Sequence, residues 1–442
     1  MIIKLKNKKI VMDVILLIAL FLVLFCWALF SGIRDAGRDE NKWDWYSERA
    51  VWGRIIQVQD DTPAKKWGFL SFDSPEKEQT PERNAYEEER TVDEKLYTHS
   101  AGLQGTMYAY IAKTLRLMGV KAKTIGGVLW CINAAICWGV FCLFAVWIFF
   151  EMGGLACIAA IYATFTVTWM NDAITNLYWV IWSFFLPTLI TAFMGRALWK
   201  NLNKNEKSAY AQNLWLFLLV MVALFRFLCG FEFTSTVMIS AEVPIFFYFV
   251  KDFENRERRK YWFRQMIKVG VVLLIGFFLA MFVWFIMQIR YMGMEKAASE
   301  ILQTIAKRTG VMKSTMDENM IKIYSESLDI PRIQVVKMMV FGQWRAIGKM
   351  SILHIIAATL LLQTVKTFLL KENKRNLIRF AAVYILSVAA PLSWFYLGSG
   401  HTYIHYYIDA ILWMIPVIPI SMAYMGNGME AILKYAEEKY KE

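Results

Sequence analysis

Ten apolar stretches, each about twenty residues long, constrain this chain of 442 residues more than any other feature. A helix of that length crosses the ~30 Å hydrocarbon core of a membrane and satisfies its own backbone hydrogen bonds there. With 57% apolar residues, the chain is too hydrophobic for an ordinary soluble domain. The sequence therefore predicts an all-α membrane protein with about ten transmembrane helices, at residues 11–30, 125–150, 153–171, 177–197, 213–229, 233–250, 269–289, 347–370, 378–397 and 405–425.

The positions of the basic residues predict the orientation of these helices. A lysine-rich segment, residues 4–9, precedes the first stretch, and the basic segments 196–207, 256–268 and 366–379 then fall on the same side. Because basic loops stay in the cytoplasm, we expect a multi-pass protein of the plasma (inner) membrane with both termini cytoplasmic. The net charge of +12 then reflects anchoring at the helix ends and does not indicate a nucleic-acid partner.

This orientation predicts one polytopic membrane domain, residues 1–442, with two large extracytoplasmic loops at 32–123 and 290–346. Both loops carry stretches with the spacing of amphipathic helices. In the first loop these stretches are 42–58, where a helix would lie on the membrane surface, and 101–119; in the second they are 294–308 and 332–341.

Three carboxylates, Asp35, Asp39 and Glu40, follow directly after the first apolar stretch. A carboxylate at a membrane surface is partly desolvated, which raises its pKa and makes it suitable as a general base. Alternatively, these acids belong to a solvated loop and are neutralised by Arg34 and Arg38.

Arg226 lies near the outer end of an otherwise apolar stretch and is followed by Glu232. A charge at that depth is costly and by default indicates a functional site, and a guanidinium suits phosphate because it donates two parallel hydrogen bonds. The alternatives are a structural Arg226–Glu232 pair and an arginine whose head reaches the membrane interface.

The segment before the last apolar stretch contains His401, Tyr403 and His405. Two histidines four residues apart at a helix start share one face and can donate to a phosphate or a hydroxyl group. Tryptophans and tyrosines are dense at the predicted outer ends of the helices, and their flat rings suit the apolar face of a sugar. No cysteine or histidine spacing predicts a zinc site, no cofactor is identified, and dependence on a divalent metal stays open.

Taken together, these features resemble the GT-C superfamily of multi-span membrane glycosyltransferases. The resemblance rests on the acidic cluster Asp35, Asp39 and Glu40, on the long first outer loop, and on the segments 97–105, 226–233 and 400–405. It implies a GT-C-like helical bundle and a sugar donor linked to polyprenyl phosphate. It also implies an extracytoplasmic active site that serves a glycan or lipid-linked acceptor in cell-envelope polysaccharide biosynthesis.

The resemblance also implies residue roles, with Asp39 as the first candidate for the base, followed by Asp35 and Glu40. Phosphate is a good leaving group, so the enzyme needs a base for the acceptor hydroxyl and a cation for the departing phosphate. Arg226 is the leading phosphate ligand, assisted by His401 and His405, and Arg290 and Arg345 at span ends are the alternatives. The other substrate-binding candidates are Glu232, Tyr403, His99 and Gln104. A single displacement would invert the anomeric centre.

Three other functions remain open from the sequence. A polysaccharide polymerase also has many spans and large outer loops with arginine and histidine. A flippase or transporter of lipid-linked oligosaccharide would need charged residues along a path through the membrane, for which only Arg226 and Glu242 qualify. A non-catalytic scaffold would tolerate alanine at Arg226 and at the outer acids.

Overall fold

The computed structural model describes residues 26, 43–59, 68–73, 81–90, 94–204, 209–311, 314, 316, 318–342 and 345–441. The three candidate acids, Asp35, Asp39 and Glu40, lie outside the described residues, as does the first predicted span except for Cys26.

The described chain is almost entirely helical. In order, its helices are α1 (Trp45–Gln59), α2 (Pro81–Glu87), α3 (Leu103–Leu117), α4 (Ala122–Met152), α5 (Gly154–Thr166), α6 (Thr168–Ala173), α7 (Ile181–Asn203), α8 (Ala209–Cys229), α9 (Thr234–Lys251), α10 (Arg256–Met292), α11 (Met294–Thr309), α12 (Glu318–Ile323), α13 (Ser325–Asp329), α14 (Arg332–Phe341), α15 (Ile352–Leu369), α16 (Lys374–Leu397), α17 (Ser399–Ile404), α18 (Tyr406–Asp409) and α19 (Val417–Lys441). A 3₁₀ helix at Ala410–Met414 connects α18 to α19.

Seven helical segments in the described part of the chain are long and apolar enough to cross a membrane: Ala122–Met152, Ile181–Asn203, Tyr210–Cys229, Arg256–Met292, Ile352–Leu369, Lys374–Leu397 and Tyr406–Tyr440. Each coincides with one of the ten predicted stretches. The prediction of an all-α membrane protein is thus confirmed at this coarser level, whereas the number ten stays a prediction.

Two predicted spans differ from these seven segments. The stretch 153–171 divides into the 13-residue helix α5 and the short α6, and a helix of 13 residues is only about 20 Å long. Gly153, with φ 105°, separates α5 from α4. The stretch 233–250 forms α9, which has 18 residues and packs against α7, α10 and α16 near the centre of the bundle.

Short polar side chains determine where several helices begin. The Asn255 side chain accepts hydrogen bonds from the backbone amides of Glu257 and Arg258 at the start of α10, both at 3.1 Å. Asn373 accepts from Arg375 at the start of α16, at 3.0 Å. These caps satisfy amides that have no partner within the helix.

A layer of shorter elements covers one end of the bundle. Helix α1 packs against α3 and against strand β1 (Leu70–Asp73). Strand β1 pairs antiparallel with β2 (Glu94–Tyr97), with Leu70 opposite Tyr97. A second small pair, β3 (Arg345–Ile347) and β4 (Met350–Ser351), precedes α15.

Helix α1 occupies most of the stretch 42–58, but many of its side chains are buried within the protein, including Glu48, Arg49 and Trp52. The Arg49 guanidinium makes two hydrogen bonds to the carboxylate of Glu82, at 2.8 and 2.9 Å. Such a bidentate buried pair fixes α1 against α2. This helix therefore packs as part of the core, unlike a helix that lies on a membrane surface.

Candidate functional site

A polar cavity lies at the end of the bundle that the shorter elements cover. Its empty volume, including the mouth, is about 660 Å³. Helix α11 contributes five polar side chains to the lining: Glu300, Gln303, Thr304, Lys307 and Arg308. The rest of the lining comes from five other segments: Ser47; Tyr97 and His99; Tyr178 and Trp179; Glu232; and His401, Ile404 and His405. Segments far apart in sequence thus converge on one small polar volume, which we call the histidine cavity.

Three of the chain's four histidines line this cavity. His401 and His405 lie at the two ends of one turn of helix, and their ring centroids are 4.7 Å apart. Burial lowers the pKa of His405 to about 3, assisted by the positive charges of His401 and Lys307. His405 is therefore a neutral ring at pH 7 and can exchange hydrogen bonds with a ligand without carrying charge.

A buried carboxylate orients His401. Asp409 Oδ1 is 3.2 Å from His401 Nδ1, while Asp409 Oδ2 accepts hydrogen bonds from Thr402 Oγ1 at 2.6 Å and Trp394 Nε1 at 3.1 Å. Because Asp409 is fully buried and held by two donors, it fixes the orientation of the imidazole.

His99 forms a second histidine–carboxylate pair in the lining of the cavity. Its Nδ1 is 3.1 Å from Glu300 Oε1, and this hydrogen bond holds the pKa of the Glu300 carboxyl below its usual value. The preceding carbonyl, that of Thr98, accepts hydrogen bonds from Trp284 Nε1 at 2.9 Å and Gln288 Nε2 at 2.5 Å. Helix α10 therefore anchors the backbone that carries His99. In a neutral imidazole whose Nδ1–H donates to Glu300, the other ring nitrogen is an acceptor.

An ion pair between Arg308 and Glu232 closes the inner side of the cavity. The two side chains are only 13% and 5% exposed. Burial alone would raise the pKa of Glu232, but the charges of Arg308, His401 and Arg226 lower it below its usual value. Both partners are therefore charged at neutral pH, and neither can be removed without leaving a buried charge without its partner.

Arg226 lies behind this pair and does not line the histidine cavity. Its guanidinium stacks over the Phe184 ring, 3.7 Å from the centroid, and its Nη2 donates to the backbone carbonyl of Glu232 at 3.1 Å. Arg226 thus holds the turn that presents Glu232. The interpretation of Arg226 and Glu232 as a structural pair agrees with the backbone contact, although the Glu232 carboxylate bonds to Arg308 instead.

Aromatic rings form one wall of the cavity. The Tyr97 and Tyr178 hydroxyls are 3.2 Å apart, and Trp179 stacks on Phe233 with a centroid distance of 5.3 Å. Phe233 has φ 65° at the start of α9, in the left-handed region. A non-glycine residue there stores about 1–3 kcal/mol, which only a well-packed surrounding can hold.

The loop that presents Tyr178 and Trp179 is buried, and hydrogen bonds hold it in place. Asn176 Oδ1 accepts hydrogen bonds from the amides of Tyr178 and Trp179 at 3.0 and 3.1 Å. Glu48 Oε2 accepts from the amide of Leu177 at 3.1 Å, and Gln104 Nε2 donates to the carbonyl of Tyr178 at 3.0 Å. This network fixes both rings before any ligand binds.

Asp44 lies directly behind Trp179 and accepts a hydrogen bond from its indole nitrogen. Burial raises the pKa of Asp44 to about 6, although hydrogen bonds from Ser47 and Trp179 oppose the shift. Asp44 is adjacent to the cavity, and its carboxyl titrates closer to neutral pH than that of an ordinary aspartate.

The raised pKa of Asp44 predicts a pH-dependent effect on stability. The unfolded chain binds fewer protons than the folded chain between pH 3.8 and about 6, so the folded state loses stability as pH rises through that window. We expect the wild type to lose about 2 kcal/mol relative to Asp44→Asn between pH 4 and pH 7.5. Chemical unfolding in detergent at both pH values measures this difference.

Ser47→Ala serves as a comparison, because it keeps the Asp44 carboxylate but removes one of the hydrogen bonds that oppose the shift, so it should retain the pH dependence or enlarge it. An equal stability difference between wild type and Asp44→Asn at both pH values would contradict the assignment.

Of the site residues that the sequence predicts, the structure brings four together at the cavity: His99, Glu232, His401 and His405. Gln104 supports the Tyr178 loop from behind. Tyr403 does not line the cavity, and its hydroxyl lies 3.4 Å from the carboxylate of Glu326 on α13.

The sequence analysis missed the polar face of α11. Glu300, Thr304 and Lys307 recur at intervals of four and three residues, so they follow one helix face, and Arg308 lies beside them. This spacing is the signal that identifies a polar cavity-lining face in an amphipathic helix. Asp409 was also missed, because it lies within a stretch that was interpreted as the last span.

Among the described residues, no three histidine, cysteine, aspartate or glutamate side chains are close enough together to hold a metal ion. Comparison with protein-family models, with curated proteins and with solved structures finds no match to this chain.

Proposed function

We propose that this chain is a membrane glycosyltransferase of the GT-C type. It would transfer a sugar from a polyprenyl-phosphate donor to a glycan or lipid-linked acceptor. The observation that carries the proposal is the histidine cavity, in which two histidine–carboxylate pairs, two cations and an aromatic wall meet at one end of an apolar bundle. A lipid-linked sugar phosphate needs such a site, polar at its head and adjacent to the hydrocarbon.

The orientation follows from charge. The described basic segments 196–204, 256–268 and 366–379 lie at the end of the bundle opposite the histidine cavity, since α9 starts beside the cavity and ends at Lys251. By the positive-inside rule the basic end is cytoplasmic, so the cavity is extracytoplasmic. This orientation agrees with ten spans and with both termini in the cytoplasm.

Lys307 and Arg308 are the cations that would receive the donor phosphate. The Arg308 charge is balanced by Glu232, whereas the Lys307 ammonium lies 4.3 Å from the centre of the Tyr324 ring. Lys307 therefore supplies a positive charge at the cavity wall, which the ionised Glu300 carboxylate on the same helix offsets. His405 supplies a neutral hydrogen bond. Arg226, predicted as the leading phosphate ligand, would act through Glu232 from its buried position.

The acceptor hydroxyl requires a base, and His99 is the best placed among the described residues. Its ring is 30% exposed at the cavity wall, compared with 11% for His401, and Glu300 fixes its orientation. A histidine whose Nδ1 is held by a carboxylate offers Nε2 to take a proton, as in other proton-transfer sites. The acids Asp35, Asp39 and Glu40 stay candidates for the same role.

Tyr97, Tyr178 and Trp179 would hold the sugar. Rings with one polar edge pack against the apolar face of a pyranose, and the hydroxyl groups of the two tyrosines would contact its oxygens. The Trp179 N–H already donates to Asp44, so Trp179 would contribute the face of its ring. The Asn176 side chain already holds the loop at 176–179 through hydrogen bonds. Sugar binding would therefore lose little conformational entropy in this wall.

The direct test is transfer from defined polyprenyl-phosphate sugars by the purified protein in detergent or nanodiscs. We expect Lys307→Gln to weaken donor binding by about tenfold to a hundredfold, because it removes one charge-assisted contact to phosphate. Lys296→Gln is the matched control, since Lys296 is exposed on the same helix and does not line the cavity.

Two results would contradict the proposal: unchanged donor affinity in Lys307→Gln, or absence of transfer with every polyprenyl-phosphate sugar. Transfer of a preformed chain instead of one sugar would favour the polysaccharide polymerase. Movement of the lipid-linked oligosaccharide across vesicles without any new bond would favour the flippase.

A further inference from the structure

A second polar cavity lies at the opposite end of the bundle, and none of the roles above uses it. It is formed between the C-terminal ends of α9 and α15 and the N-terminal parts of α16 and α19, with an empty volume of about 920 Å³ including its mouth. Helix α9 reaches from the histidine cavity to this one, and its 18 residues span about 27 Å. The two cavities are therefore separated by about the thickness of a hydrocarbon core.

The groups around this second cavity carry more positive than negative charges. The carboxylate of Glu151 is buried and receives two cations, Arg196 at 2.5 Å and Lys251 at 2.8 Å. One carboxylate thus neutralises one of two cations, and one positive charge remains. Lys251 also lies over the Trp199 ring at 4.0 Å, which orients its ammonium group at the cavity wall.

The same arrangement recurs on α16. Glu254 accepts hydrogen bonds from both Arg375, at 3.1 Å, and Arg379, at 2.9 Å, and Arg379 lines the cavity. Here, too, one positive charge remains. The third cation in the lining, Lys366, is balanced by Glu372 at 3.4 Å. These five cations and three carboxylates leave two positive charges, and the side chains of Asn376 and Asn427 add neutral polar groups to the lining.

We propose that this basic cavity binds the phosphate group of an anionic phospholipid from the surrounding leaflet. A phosphate carries the charge that the cluster lacks, and lysine and arginine donors hold it through charge-assisted hydrogen bonds. The cavity opens among helices that are apolar enough to span a membrane, so the acyl chains of a lipid can remain in the hydrocarbon. Basic pockets between transmembrane helices on the cytoplasmic side are suited to anionic head groups.

The charge arrangement allows a test that does not leave a buried carboxylate without a partner. In the double variant Lys251→Gln/Arg379→Gln, Arg196 still neutralises Glu151 and Arg375 still neutralises Glu254, so only the excess charge is removed. A second variant, Asn376→Trp, narrows the cavity from an exposed position and leaves every charge in place. Lys260→Gln, on the exposed face of α10 beside Glu257, is the matched control.

Native mass spectrometry of the purified full chain in detergent, titrated with phosphatidylglycerol or phosphatidylcholine, measures the binding. We expect the wild type and Lys260→Gln to bind phosphatidylglycerol about tenfold more tightly than phosphatidylcholine. The double variant and Asn376→Trp should each lose about tenfold in affinity for phosphatidylglycerol.

Equal binding of both lipids by the wild type would overturn the proposal, as would wild-type affinity in both variants. Soluble glycerol 3-phosphate is added as a competitor: if it displaces the lipid at equal concentration, the source of the phosphate is the aqueous phase and the lipid assignment is wrong. The proposal does not depend on glycosyl transfer, and the assay contains no sugar donor.

Discussion

Replacement of His99 by asparagine is expected to lower the turnover number for sugar transfer by about a thousandfold, while donor affinity stays close to that of the wild type. The magnitude follows from the contribution of general acid–base catalysis, about 10²–10⁴-fold. The reason is structural: Glu300 holds Nδ1 at 3.1 Å, α10 anchors the backbone at Thr98, and the ring is exposed to the cavity. Steady-state kinetics with a defined polyprenyl-phosphate sugar separates turnover from binding.

His354→Asn is the control for this variant, because His354 is the one histidine of the chain's four that does not line the cavity; it caps the start of α15 through Ser351. Turnover within a few-fold of wild type in His99→Asn would remove His99 as the base. The variants Asp35→Asn, Asp39→Asn and Glu40→Gln, in the same assay, would then show whether an acid of the first loop has this role.

Replacement of Glu232 by glutamine is expected to lower the free energy of unfolding by about 3–5 kcal/mol, because it leaves the buried Arg308 without its counter-charge. The loss should be much smaller in the double variant Glu232→Gln/Arg308→Met, since removing both charges leaves no buried charge without its partner. Equilibrium unfolding in detergent, with tryptophan fluorescence as the signal, measures all three proteins.

The matched control is Glu254→Gln, because Glu254 also bonds two arginines but is 58% exposed. An exposed pair contributes only about 0–1 kcal/mol, so this variant should unfold almost as the wild type does. Equal losses in Glu232→Gln and Glu254→Gln would show that the burial of the Arg308–Glu232 pair has no energetic consequence. Its assigned role in shaping the cavity would then be wrong.

The helices of this fold can be predicted from the sequence because length and apolar composition alone decide whether a helix can span a membrane. For seven of the stretches, length and apolar composition were sufficient to predict the helix that the structure shows. The stretch 153–171 differs because Gly153 separates it from α4 and the break after Thr166 divides it into two short helices, which composition does not show. Composition also did not show that α1 is buried, because the burial of Glu48 and Arg49 depends on partners distant in sequence, such as Trp130 and Glu82.

The site was predictable only where its residues are local in sequence. His401 and His405 are one helical turn apart, so their spacing alone predicts a shared face. The partners of the histidines are not local: Glu300 lies 201 positions after His99, and Arg308 lies 76 positions after Glu232. No pattern in one sequence joins such residues, so Arg308 was missed and Arg226 was favoured in its place.

Access to position 303 shows on which side of the membrane the cavity opens and whether the donor occupies it, because Gln303 lies on the cavity wall of α11. A single cysteine there, in a chain whose six native cysteines are replaced, can be reacted with a membrane-impermeant maleimide in oriented vesicles. We predict labelling from the extracytoplasmic side only, and protection by a polyprenyl-phosphate sugar but not by the same sugar without its lipid phosphate. Labelling only from the cytoplasmic side, or an unchanged rate with saturating donor, would contradict the account.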